Sequence, residues 1–157
     1  MTLHTTTRVP VDDEYAALVG KAVYVFAYYE WTIVWIMDFL ESGFVSEYIR
    51  KIKMTSVMVA NRFGTIIDKP ATSFDKVSRP KLLDCLAEFE RLLDWRNALL
   101  HAHPITDSDG AQRLNCQSIP SAPLPDVKWP AEEVEKIITE FDAAACRAGE
   151  ILDKLRT

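Results

Sequence analysis

The sequence predicts an all-α fold: an up-and-down helical bundle of four long helices with a small β-hairpin between the last two. Three observations predict it. Apolar residues recur at helical spacing over four long runs. Clusters of turn-forming residues fall between those runs, at Ser42-Gly43, Asp68-Lys69-Pro70, Pro104 and the proline-bearing stretch from Ser118 to Pro130. Between the third and fourth runs, Asp109-Gly110 separates two short segments and signals a hairpin turn.

A length of 157 residues suits one domain with a substantial core, and a composition of 48% hydrophobic and 26% charged residues is that of a soluble globular chain. Residues 1–157 are read as that single domain, with 1–11 a loose N-terminal arm that lacks the apolar stretch of a secretion signal. A formal net charge of -5 argues against broad adhesion to nucleic acid, so any RNA contact has to be local. Cys85, Cys116 and Cys146 lie far apart without metal-ligand spacing and read as reduced thiols of a cytoplasmic protein. Few glycines and no phosphate loop leave no place for a common nucleotide cofactor. No cofactor and no metal are expected.

The first helix is expected from Asp12 or Asp13, whose carboxylates suit an N-terminus, to about Glu41. From Ala22 to Met37 only Glu30 and Thr32 are clearly polar, which raises the question of a membrane span. A central Glu speaks against one, and a bundle helix or dimer surface with aromatic packing is expected instead. Glu30 belongs either to a solvent-facing stripe with Lys21 or to a pair with Arg96 or His101 from a neighbouring helix.

The second helix is expected from Phe44 to about Ile67, packed through Val45, Tyr48, Ile49, Ile52, Val59, Phe63 and Ile66. Arg50, Lys51 and Lys53 form a basic cluster on it, ordinarily a solvated face and otherwise an RNA contact. The third helix enters through Ser78 and Pro80 and runs to His101, with Pro104 beyond it. The hairpin follows over Ile105 to Cys116 and could bring Arg113 to the rim of a cleft, while Ser118 to Pro130 reads as an extended linker. The last helix starts at Pro130 and presents Val134, Ile137, Ile138, Phe141, Ala144, Ala145, Ala148, Ile151, Leu152 and Leu155 to the core.

The third helix carries the candidate site. Its apolar stripe of Leu82, Leu86, Phe89, Leu93 and Leu100 is interrupted by Arg96, where an aliphatic side chain would pack. Asn97 and His101 stand four apart on its flank. A guanidinium is a planar fork suited to phosphate, an imidazole exchanges protons near neutral pH, and an amide orients either, which together make a kit for attack on a phosphodiester. Cations near a helix end also serve simply to complement its dipole; the broken stripe is what sets these residues apart.

The run Arg96-Asn97-Ala98-Leu99-Leu100-His101, late in a long helix, resembles the HEPN superfamily, whose signature is an Arg, four to six residues and a His, with a polar residue commonly following the Arg. The resemblance implies a helical bundle that dimerises so that two motifs share one cleft, and metal-independent cleavage of RNA through attack by the 2′-hydroxyl. By that likeness Arg96, Asn97 and His101 are the catalytic candidates; the residue pattern adds Glu30 and His103 in support and Arg50, Lys51, Lys53 and Arg113 as RNA contacts. HEPN toxins paired with a nucleotidyltransferase antitoxin usually carry a Tyr two residues after the His, where this chain has His103. The implied partners are an RNA substrate, a second copy of the chain and an antitoxin protein, and no membrane is expected. The alternative is a non-catalytic HEPN-like bundle that binds a nucleotide or a protein.

Overall fold

The computed structural model describes residues 10–50 and 54–157. These form five helices and a three-stranded sheet: α1 (Asp13–Leu40), α2 (Phe44–Arg50), α3 (Ser56–Asp68), α4 (Arg79–Leu100), β1 (His103–Thr106), β2 (Gln112–Cys116), β3 (Val127–Trp129) and α5 (Ala131–Arg156). The fold is mostly helical, as expected, but two expectations fail. The helix foreseen from Phe44 to Ile67 is broken, and the hairpin has gained a third strand.

The break follows from capping. Thr55 adopts an extended backbone and accepts a hydrogen bond from the Met58 N–H, which starts a new helix at Ser56. The apolar side foreseen for the unbroken helix is correspondingly divided: Val59, Phe63 and Ile66 are buried, whereas Ile49 is exposed. Ile52 lies outside the described residues. At the other end of α2, the Asp38 carboxylate accepts from the N–H groups of Gly43 and Val45, and Gly43 takes a positive φ of 97° to reverse the chain.

That reversal changes the topology. Tyr48 returns to Glu30 of α1, so α2 runs back along it, and Arg62 and Lys69 of α3 then reach Glu41 at its far end. Thus α3 runs the same way as α1. Phe26 packs on Phe141, and Tyr15 at the start of α1 bonds to Trp129 just before α5, so α5 is also parallel to α1. Like α2, α4 is antiparallel to these, pairing Arg91 with Glu140 and Glu88 with Arg147 across α5. With α2 counted, the five helices alternate in direction along the chain, where four had been expected.

The core follows the helical stripes. All ten residues foreseen on the inner face of α5 are buried, and Phe26, Tyr29, Phe89 and Phe141 form an aromatic centre with edge-to-face and stacked contacts. Leu100 departs from its stripe and is exposed, because α4 ends at that residue and no helix continues the packing there. Ser78 occupies the cap position of α4 without a side-chain cap bond.

The strands pair in the order β1-β2-β3, all antiparallel, with Thr106 opposite Gln112 and Leu114 opposite Trp129. The turn is closed by Asp107 and Ala111, with Gly110 at a φ of 82°. In the stretch read as a linker, Val127 and Trp129 face inward and Lys128 outward, an alternation too short to register as a strand. Trp129 locks the sheet to the bundle: its indole N–H donates to the Ala98 carbonyl at 3.2 Å, and its own carbonyl accepts from the Tyr15 hydroxyl at 2.6 Å. The sheet therefore sits on the C-terminal end of α4, which fixes the loop after β2 beside the candidate residues.

Candidate functional site

Arg96 is drawn inward. Four helices each contribute a polar group: Glu30 from α1, Tyr48 from α2, Ser56 from α3 and Arg96 from α4. The guanidinium lies 5.0 Å from the centroid of Phe26, its Nη2 donates to the Ser56 hydroxyl, and the same nitrogen is 3.9 Å from Glu30 Oε2. The Tyr48 hydroxyl donates to Glu30 Oε1 at 2.9 Å. Glu30 Oε2 is buried with no hydrogen-bond partner among the described residues, so the ion pair is its only compensation. The pair side chains are 19% and 12% exposed, too little for water to screen them well.

Titration reflects that enclosure. Burial pushes the Arg96 guanidinium below its ordinary range, while Glu30 and Tyr48 pull it back. Burial, reinforced by the neighbouring Glu30 carboxylate, pushes the Tyr48 phenol up to about 12. Of the two roles open to Glu30, the stripe with Lys21 is not what forms. Glu30 is buried and partners Arg96, not His101.

Asn97 and His101 look elsewhere. Successive helical residues turn by about 100°, so His101 is displaced from Arg96 by about 140° around the axis. His101 caps α4 with its backbone N–H on the Asn97 carbonyl at 2.9 Å. Together they line a groove of about 440 Å³ closed by Cys116, Gln117, Ile119, Ala122, Pro123 and Leu124. None of these side chains is acidic.

The remaining candidates are dispersed. His103 is exposed at the start of β1, opposite Asn115, and is not part of the groove wall. Arg113 lies with its guanidinium 4.8 Å from the Tyr15 ring centroid and donates to the Gln112 carbonyl, away from the groove lining. Arg50 is exposed at the end of α2; Lys51 and Lys53 lie outside the described residues. Sequence reasoning missed Ser56 and the groove-forming loop. The Thr55-Ser56 cap was the available signal for the former, while a folded proline-rich loop leaves none. Among the described residues no group of three His, Cys, Asp or Glu is gathered to hold a metal ion, and no helix is long and apolar enough to cross a membrane.

Chemically the two halves are complementary: an anchored cation with an imidazole and an amide around the helix from it. Neither a family model, nor a curated protein, nor a solved structure matches this chain, so the likeness to HEPN proteins rests on the motif Arg96-Asn97 to His101 and its helical frame.

Proposed function

We propose that this protein is a HEPN-like, metal-independent endoribonuclease of the toxin or defence type, acting as a homodimer. The observation that carries the reading is the placement of His101 and Asn97 together on a groove free of carboxylates, at the same end of α4 as an arginine hydrogen-bonded through one nitrogen. Arg96 Nη2 is engaged by Ser56 and Glu30, whereas Nε and Nη1 have no hydrogen-bond partner among the described residues and are not among the buried atoms lacking one. A guanidinium anchored at one edge keeps donors for a phosphate at the other.

In this reaction the ribose 2′-oxygen attacks the adjacent phosphorus and the bond to the 5′-oxygen breaks. One His101 accepts the 2′-hydroxyl proton, and its copy in the second protomer gives a proton to the departing 5′-oxygen. The products are a 2′,3′-cyclic phosphate and a 5′-hydroxyl. Proton transfer of this kind contributes roughly 10²- to 10⁴-fold, and charge stabilisation by Arg96 adds to it. Purified protein in EDTA is expected to cleave RNA, and His101→Ala to lose roughly 10²- to 10⁴-fold in rate without a change in melting. Equal cleavage by the two proteins would end the proposal, and so would a strictly monomeric state for an active enzyme.

A second reading is favoured by the enclosure of Arg96. On it the chain is a non-catalytic HEPN-like bundle that binds a nucleotide or a protein partner such as an antitoxin, and the Arg96–Glu30 network is purely architectural. Loss of RNA cleavage in Arg96→Lys, with melting unchanged, excludes this second reading.

A further inference from the structure

We infer that the groove between the last turn of α4 and the loop 117–124 is a nucleobase subsite, which takes the unstacked base of the nucleotide adjoining the scissile phosphate. This rests on the ribonuclease reading for its place in the reaction, but the site stands on its own lining.

Charge gives the first indication. The protein carries a formal net charge of -5, and four other grooves on its surface each include an aspartate or glutamate. The groove at Asn97 and His101 has none, so a polyanion meets no repulsion from its walls there. Its volume of about 440 Å³ is within the range of sites that enclose small organic ligands.

Shape and chemistry narrow the occupant. Ile119, Ala122, Pro123 and Leu124 supply apolar surface for the faces of a flat ring. Asn97 and Gln117 each bring a side-chain amide, a donor and an acceptor side by side, and neither amide is used in a hydrogen bond among the described residues. Such paired groups match the edge of a base. The loop is not loose packing material: Ala122 bonds back to the Ile119 carbonyl at 3.0 Å in an antiparallel bridge, Leu124 packs against the core, and Cys116 is buried at the end of β2. Because His101 lines the same groove, a base seated there brings its own ribose and phosphate to the imidazole. A base inside a duplex cannot enter, so the site selects single-stranded RNA.

The test uses the four nucleoside 3′-monophosphates as probes, followed through the side-chain NMR signals of Asn97, Gln117 and His101 in the intact protein. Saturable shifts at those three residues are expected, with affinity differing among the bases. Gln117→Ala, an exposed position, is expected to weaken the preferred nucleotide by roughly tenfold, the scale of a lost hydrogen bond. Leu124→Asp, which places a carboxylate in the groove, should weaken all four by at least about tenfold. Absence of shifts at these residues, shifts gathered instead around the Tyr24–Trp35 face of α1, or binding insensitive to both variants would overturn the subsite. RNA cleavage without nucleotide binding in this groove sinks the subsite and leaves the ribonuclease; binding without cleavage does the reverse.

Discussion

Arg96→Ala measures what the inward-facing cation does for the fold. The substitution leaves Glu30 buried with only Tyr48 as a partner, since Oε2 has no hydrogen bond to fall back on. Stranding one member of a buried pair costs roughly 3–5 kcal/mol. For a chain of 157 residues the unfolding entropy is about 0.33 kcal/mol/K, from about 2.1 cal/mol/K per residue, so the melting temperature is expected to fall by about 9–15 °C. The companion variant Glu30→Leu strands Arg96 instead, and the double variant strands neither. The two single losses are therefore expected to exceed the double loss by roughly 1–3 kcal/mol. Urea unfolding of all four proteins at one fixed protein concentration reads this cycle, the fixed concentration removing any contribution from self-association. Additive losses, or a melting shift below about 2 °C for Arg96→Ala, would refute the claim that Arg96 and Glu30 are held as a pair.

Alkaline stability reports on Tyr48. Its folded-state value of about 12 lies above the ordinary 10.0, so its contribution is fully present below pH 10.0 and is lost as the pH rises through about 12. Urea midpoints are expected to fall across that window, and less steeply in Tyr48→Phe; identical slopes would remove the phenol from the account. Thiol labelling should separate the cysteines: Cys146 is exposed, whereas Cys85 is buried with its thiol pushed up to about 12 and Cys116 is buried with its thiol raised. One fast-reacting thiol, lost in Cys146→Ser, is expected in the native protein, and three equal rates would contradict the packing. Trp129→Ala is expected to destabilise by roughly 3–5 kcal/mol, through the cavity it leaves between sheet and bundle, measured by the urea midpoint. A loss under about 1 kcal/mol would mean that the sheet is not anchored by that indole.

The long helices were legible because their apolar periods are sustained. Ten positions foreseen on α5 are the ten it buries, and α1 starts one residue after the Asp12 that caps it. The break before α3 was missed, since no Gly or Pro marks it and the apolar residues continue in helical phase on both sides, leaving Thr55 as its one local signal. What separates the halves is a threonine cap and the chain reversal at Gly43, whose consequence is tertiary. At the site, the cation interrupting an apolar stripe could be read, as could Glu30 as its partner. The convergence of Arg96, Asn97 and His101 on one object, read from their spacing, does not form: Arg96 is turned to Ser56 and Glu30, while Asn97 and His101 line the groove. Tyr48 and Ser56 join the network only because α2 doubles back, and the groove depends on a loop whose residues carry no periodic signal.

The parallel seam between α1 and α5 joins segments from opposite ends of the domain, as the Tyr15–Trp129 bond across 114 positions illustrates. During synthesis at about 5–20 residues per second, the aromatic flank of α1 therefore waits roughly 6–23 s for its cover to be translated. Over that interval the α5-facing side of the 28-residue α1 stands uncovered. Chaperone demand in the cell and a slow final docking step in refolding are the natural outcomes of placing the first and last helices side by side.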